Sequence, residues 1–312
     1  MAQLRVEELI EAGIHFGHPA SRWNPKMAPF IFGKRNFIHI IDLKETLRGI
    51  VRARKFLTRL VASGKDIVFV GTKRQARAAI EQEAKRCGMP HVSHRWLGGT
   101  LTNFRTIRSR LSRLDQLEQM EATGDIHQYS KKMIASLQRE HRKIRRNLEG
   151  IRTMEKLPGA LVVIDPVREH NAVAEAGKLE IPVVALADTE ADPDDLTVVI
   201  PGNDDSMRAI EVVLKHVADA VLEGKANRAA RAAMEGEGEA LLRGPSRPKA
   251  RTRAPRRKPP AGDRPVPEMP LPTPHPDIQA ATEAETHDAG DRGTDAPDTG
   301  ASDGAPAAEE AN

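Results

Sequence analysis

Four short apolar runs constrain the fold of this chain most: DIVFVG at Asp66–Gly71, ALVVID at Ala160–Asp165, VVALA at Val183–Ala187 and TVVI at Thr197–Ile200. Each is short for a helix, rich in β-branched residues and without the polar alternation of a half-exposed strand. Strands of this kind are covered on both faces, as in parallel sheets. Helical patterns lie between or after them, at about 73–87 (closed by Gly88), Glu169–Lys178 and Ser206–Glu223. The alternation predicts βαβ units and an α/β fold with helices on both sides of a parallel sheet. His91–His94 offers a further short strand.

Upstream, Val6–Ala12 reads as a short helix stopped by Gly13, and HFGHPASRWNPKMAPFIFGKRN reads as a long loop. Long ordered loops often carry function. Phe37–Ile41 is a short apolar strand, and Leu43–Ser63 is a strongly amphipathic helix. On that helix Leu43, Leu47, Ile50, Leu57 and Val61 share a core face, while Lys44, Arg48, Arg52, Lys55 and Arg59 form a second stripe. A cationic stripe on a lone helix is more often a solvated face than a phosphate contact; the lack of any acid within this one strengthens the second reading.

From Thr100 to about Leu157 there is no strand signal. Leu101, Phe104, Ile107, Leu111 and Leu114 make one seam; Ile134, Leu137, His141, Ile144, Leu148 and Ile151 make another, with Gly124-Asp125 between. This spacing predicts two antiparallel helices, an αα-hairpin inserted at about residues 100–157. His141 is read as a seam residue, not a ligand. Arg139, Arg142, Lys143 and Arg146 fall on the face opposite the second seam, and the planar guanidinium fork suits phosphate oxygens.

The net charge of +4 conceals a pattern. From Lys225 onward Ala, Pro, Gly and charged residues dominate and aromatics vanish, so 225–312 is expected to be a disordered tail. It contains a basic block at 243–264, with nine cations and one acid, then an acidic block at 277–312, with ten acids and one cation. The basic block is expected to add loose phosphate contacts. The part before the tail, 1–224, is expected to be the folded domain, and its basic balance suggests a polyanionic partner. Cys87 is the single cysteine, so no internal disulfide is expected. MAQLRVEELIEAG lacks the apolar core of a signal peptide, and no run approaches the ~18 apolar residues of a membrane span. A cytoplasmic location is expected, with no membrane partner.

The candidate sites are non-catalytic. HRWLGGTLTNFRTIRSRL at His94–Leu111 places Trp96 among cations ahead of a helix start, where free N–H groups suit an anion. Trp96 is either core or a stacking platform. Thr100 is the expected helix cap. VFVGTKRQA at Val68–Ala76 lacks both glycine fingerprints of nucleotide sites, so no cofactor and no small-molecule substrate are expected. Lys73 and Arg74 remain candidates for phosphate contact. His15, His18, Cys87, His91 and His94 match no common zinc spacing, so no metal is expected. The acids Asp188, Glu190, Asp192, Asp194, Asp195, Asp204 and Asp205 read as turn and cap residues, with Asp205 or Ser206 capping the last helix. Expected RNA-backbone contacts are Lys26, Lys34, Arg35, Lys73, Arg74, Arg95, Trp96, Arg105, Arg108, Arg139, Arg142 and Arg146.

Longer motifs then carry a resemblance. EAGIHFGH at Glu11–His18, RWNPKMAPFIFGKRNFIHIIDL at Arg22–Leu43, FVGTKRQA at Phe69–Ala76, RCGMPHVSHRWLGGTLTNFRTI at Arg86–Ile107, LPGALVVIDP at Leu157–Pro166 and IPGNDDSMRAI at Ile200–Ile210 resemble the bacterial small-subunit ribosomal protein two family. The resemblance spans about residues 1–224. It implies a Rossmann-like or flavodoxin-like three-layer α/β/α domain with a coiled-coil hairpin. It also implies a non-enzymatic role in translation: binding small-subunit rRNA beside other ribosomal proteins, including ribosomal protein one of the small subunit. By resemblance, His15, Phe16 and His18 belong to the docking region for that partner. The chain departs from the family pattern at Glu190, where Asn is usual, and at Glu180, where Gly is usual.

Overall fold

The computed structural model describes residues 5–242. The basic and acidic blocks expected at 243–264 and 277–312 lie outside the described residues.

The chain opens with α1 (Val6–Glu11) and continues into β1 (Phe16–Pro19), β2 (Ile31–Arg35) and β3 (Ile38–Ile41). These strands form a small antiparallel sheet in the order β1-β3-β2. Two of them lie in the segment that sequence reads as loop. Prolines and a gap in apolar alternation hide β1, and β2 buries no side chain fully. The β2–β3 hairpin turns on Asn36 and Phe37, both at positive φ (51° and 62°), which suits the right-handed twist of the strands.

Helix α2 (Leu43–Ala62) starts where the Asp42 carboxylate accepts the Lys44 N–H at 2.8 Å. It is followed by β4 (Ile67–Val70), α3 (Arg74–Cys87) and β5 (His91–Val92). Gly88 ends α3 in the left-handed conformation, φ 60°. The hairpin comes next, α4 (Phe104–Thr123) and α5 (Lys131–Leu148), then β6 (Ala160–Ile164), α6 (His170–Lys178), β7 (Val183–Ala187), β8 (Val198–Pro201) and α7 (Met207–Leu242). Ser206 caps α7, its hydroxyl oxygen accepting the Ala209 N–H at 3.4 Å.

The larger sheet is all parallel in the order β5-β4-β6-β7-β8. Counted from its first strand, that is the 2-1-3-4-5 order of flavodoxin-like folds. The period of two sorts its side chains cleanly. Ile67, Phe69, Ala160, Val162 and Ile164 enter a core with α2, α3 and α7. Val68, Val70, Leu161 and Val163 enter a second core with α6 and the hairpin base. This is the expected α/β/α arrangement, with the hairpin inserted between β5 and β6.

One boundary needs correction. The expected tail begins at Lys225, yet α7 runs to Leu242. The Lys225 ammonium donates to the carbonyls of Cys87 (2.6 Å) and Gly88 (3.2 Å), at the carbonyl end of α3. The poverty of aromatics after Gly224 reads as disorder, but KANRAARAAM is rich in strong helix formers.

Glu180 sits at φ 54°, a conformation costing an L-residue about 1–2 kcal/mol. Part of any gain from glycine is lost to the freer unfolded chain. Glu180→Gly is therefore expected to stabilise the domain by about 0.5–1 kcal/mol, read as a higher urea midpoint with unchanged slope.

Candidate nucleic-acid interface

The expected arginine face is present. Arg139, Arg142, Lys143 and Arg146 are exposed along α5, while Leu137, Ile144 and Leu148 are buried on its other side. Ser130 starts the helix by accepting the Met133 N–H at 3.4 Å. None of these four cations has a carboxylate partner among the described residues. Others on the hairpin and its exit do: Arg113 meets Glu140 at 3.6 Å, Arg145 meets Glu149 at 3.1 Å, and Arg152 bridges to Glu118 at 2.8 Å. His141 lies in the seam as expected, 3.8 Å from Glu118 and 3.6 Å from Glu121.

A groove of about 690 Å³ runs between the two hairpin helices. Gly98 and Gly99 stand at one end, and Arg110, Arg139 and Lys143 contribute the cations. Arg110 is missing from the expected contacts: spacing places it on the helical face of Thr106 and Ile107, but only the arrival of α5 makes that face a wall of the groove. Arg74 at the start of α3, Arg95 before the Gly-Gly turn and Arg105 on α4 are also exposed. Arg108 is exposed as well but spends one N–H on the Met154 carbonyl at 3.2 Å, tying α4 to the hairpin exit. Lys34 and Arg35 are exposed on β2, with the Lys34 ammonium 5.5 Å from the Phe37 ring centre. Lys26 is exposed but, like Arg113, Arg145 and Arg152, is paired within the chain, with Asp192 (2.7 Å) and Asp194 (2.6 Å).

Three expectations change. Trp96 is 7% exposed, and its indole N–H donates to Glu175 at 3.0 Å. It is core, not a stacking platform. The anion for the Gly-Gly turn is supplied from within: Glu175 on α6 accepts the N–H groups of Gly99 (2.8 Å), Leu101 (2.9 Å) and Thr102 (3.1 Å). Thr100 does not cap α4. Its hydroxyl donates to the Leu97 carbonyl at 2.5 Å, and Asn103 holds the cap position. With Trp23→Phe, Trp96 is the sole tryptophan. Its emission is then expected to resist iodide quenching and to stay unchanged on adding RNA.

Lys73 is the third. It is 8% exposed and its ammonium contacts Asp204 (2.6 Å), Asp205 (2.6 Å) and Asp165 (3.3 Å). Burial works against its charge, but Asp204 and Asp205 outweigh this and hold the pKa above the usual lysine value. It points into the protein at the carboxyl edge of the sheet, between β4 and β6. That crevice is the ligand seat of flavodoxin-like sheets, and here the chain fills it with its own ion pairs. Thr72 adds to the plug, its N–H and hydroxyl both donating to Glu169 (2.7 and 2.6 Å).

The small sheet lies against the same edge. The His18 N–H donates to Asp188 (3.2 Å) and Thr189 (3.1 Å), and the Asn24 N–H to the Thr189 carbonyl at 2.8 Å. Any side chain at Gly17 would meet Thr189 at 2.7 Å. The Asp188 carboxylate beside the ring lifts the His18 pKa to about 9. Burial and the nearby Asp165 push Asp204 up to about 7. His18 thus faces inward, whereas His15 and Phe16 lie ring against ring (4.1 Å) near the outer surface. Beside them Val6, Ile10, His15, Phe32, Leu43 and Leu47 line an apolar groove of about 500 Å³. Phe32 and Phe37 are each 80% exposed. Cys87, His91 and His94 form no candidate ligand group among the described residues; burial pushes the Cys87 thiol up to about 11. Among the described residues no helix is long and apolar enough to cross a membrane.

An α/β/α body with a basic helical arm and a ligand crevice filled by its own side chains has the make-up of a binding protein with a cationic surface suited to a polyanion. The family described as ribosomal protein S2 matches residues 9–224. The chain is 57% identical over 225 residues to "Small ribosomal subunit protein uS2" of Rhodopirellula baltica, covering 72% of this chain and 86% of that one. It is 50% identical over 224 residues to the protein of the same name from Geotalea uraniireducens, covering 72% and 88%. The chain belongs to the ribosomal protein S2 family.

Proposed function

We propose that this protein is a structural constituent of the small ribosomal subunit, holding rRNA by its phosphate backbone through the hairpin and the cationic surface next to it. The observation that carries the reading is the selective pairing on the hairpin. Arg139, Arg142, Lys143 and Arg146 are exposed without carboxylate partners among the described residues, while Arg113, Arg145 and Arg152 are neutralised within the chain. Lys34, Arg35, Arg74, Arg95 and Arg105 extend the surface; Lys26 is paired with Asp192 and Asp194, and Lys73 and Trp96 do not contribute contacts. Backbone contacts of this type position a protein and read RNA shape, because the deep A-form groove hides the base edges.

If six to ten phosphates are engaged, affinity for an rRNA fragment falls by roughly 10³–10⁵ between 50 and 200 mM salt, on the duplex-DNA scale. A flat salt dependence would count against the reading. Crosslinking within intact subunits, with the joined nucleotides mapped, places the contacts.

The exposed rings of Phe16, Phe32 and Phe37, with the apolar groove that Phe32 and His15 line, are the part of the surface suited to a protein neighbour, which by family is ribosomal protein one of the small subunit. Phe32→Ser with Phe37→Ser is expected to remove that protein from purified subunits while leaving rRNA affinity unchanged. Retention of the neighbour would overturn this assignment.

A further inference from the structure

The groove between α4 and α5 has a make-up that phosphate contact alone does not use. Ile107, Ile144 and Leu148 give it an apolar floor. Arg110, Arg139 and Lys143 stand exposed on its rim, and none of them forms an ion pair among the described residues. Glu140, the acid among the lining residues, lies 3.6 Å from Arg113. We propose that this groove encloses one unpaired nucleotide of the bound RNA, with the base against the floor and the flanking phosphates on the rim. The proposal rests on the reading of the helical hairpin as an RNA-binding arm.

Three observations support the site. First, an apolar slot and unpaired cations lie side by side. An unpaired nucleotide offers the matching pair of surfaces, a flat, weakly solvated ring joined to an anionic backbone. A duplex does not, because its bases are stacked inside and only its phosphates reach the rim. The volume of about 690 Å³ falls within the range of roughly 300–1,000 Å³ that encloses small organic groups. Second, Asn147 lines the wall, and its Oδ1 is buried with no hydrogen-bond donor. Buried polar atoms are normally paired, so this one is short of an N–H. A carboxamide presents an acceptor beside a donor, the reverse of the edge that an unpaired base exposes, as in the asparagine–adenine pair. Third, Gly98 leaves the end of the groove bare. Its φ lies outside the left-handed region, and an added methyl would meet no atom within 4 Å beyond its chain neighbours. Neither the turn nor internal packing therefore requires glycine there. A missing side chain at such a place admits close approach of a ligand to the backbone.

Neither helix forms the groove alone. Ile107 and Arg110 come from α4; Arg139, Lys143, Ile144 and Asn147 come from α5. An enclosed base divides the labour of the arm. Phosphate contacts attract any RNA, and the groove selects the point along the strand where a nucleotide is unpaired.

The test uses the full chain and three RNA stem-loops of one sequence: fully paired, with a single bulged adenosine, and with an abasic residue in the same bulge. The last two carry the same charge and differ only in the base. Filter binding at constant salt is expected to show the adenosine bulge bound about tenfold more tightly than the abasic one, the scale of one well-paired base edge. Gly98→Val, which obstructs the groove, is expected to bring the adenosine bulge to the abasic level, while affinity for the paired stem-loop changes less than twofold. Asn147→Leu is expected to remove most of the same preference. Equal binding of the two bulges by the unaltered chain, with steep salt dependence retained, would overturn the groove proposal and leave the backbone reading standing; this comparison needs no variant to fold. A flat salt dependence with all three RNAs would sink both. Saturable displacement by micromolar adenosine monophosphate would rule out RNA as the source of the nucleotide.

Discussion

Replacing Arg139, Arg142 and Arg146 together by alanine is expected to lower affinity for small-subunit rRNA by two to three decades at 0.1 M salt. The size follows from counterion release. Each phosphate contact contributes about 0.7–0.9 to the slope of log affinity against log salt. Three lost contacts at 0.1 M salt therefore remove roughly 10² to 10³ in affinity and flatten the slope by about 2 to 3. All three side chains are exposed on α5, opposite its buried Leu137, Ile144 and Leu148, so the fold and its melting temperature should be unchanged. Arg145→Ala is the matched control. Its guanidinium is committed to Glu149 at 3.1 Å, and its loss should change affinity less than threefold. Filter binding across a salt series reads both quantities. An unchanged slope in the triple variant would remove α5 from the interface.

Replacing Glu175 by alanine should cost about 3–4 kcal/mol of stability, roughly 10 °C in melting temperature for a domain of this size. The carboxylate is 8% exposed and accepts from Trp96, Gly99, Leu101 and Thr102. Truncation leaves several donors unsatisfied around a buried ring. A pH dependence comes with it. Burial alone would raise the Glu175 pKa, but the N–H groups of Thr102, Leu101, Trp96 and Gly99 outweigh burial and hold it below 4.5. Its stabilising contribution is therefore complete above about pH 4.5 and is lost as pH falls through the folded value. Urea unfolding should show a constant gap between the native chain and Glu175→Ala from pH 7 to 5, narrowing in more acid solution. A gap that widened with acid would reverse the assignment.

Much of the architecture was legible because it rests on periodicity. The runs DIVFVG, ALVVID, VVALA and TVVI are strands, and the two seams of the hairpin meet as their spacing predicts. The small sheet was not legible: its strands are short, interrupted by prolines and only partly buried, so they carry neither a period of two nor an apolar run. The exposed arginines of α5 could be assigned to a face from spacing alone. Lys73 and Trp96 could not be assigned, because their fates are set by residues far away in sequence, Asp204 and Asp205 for one and Glu175 for the other. Spacing identifies the face of a helix; it says nothing about which distant carboxylate arrives to occupy a cation.

Gly49 places α2 so near the sheet that an added methyl would come within 2.6 Å of the Val199 carbonyl, and Gly224 lets α7 approach the Val61 side chain equally closely. Clamped between β8 and α7, α2 has no room to rock. Its outward row of Lys44, Arg48, Arg52, Lys55 and Arg59 is exposed on a stiff rail, with Arg48 and Arg52 paired to Glu45 of the same helix. A polyanion docking there immobilises side chains but not backbone, so the ordering penalty that usually weakens association is largely met at the moment the protein folds.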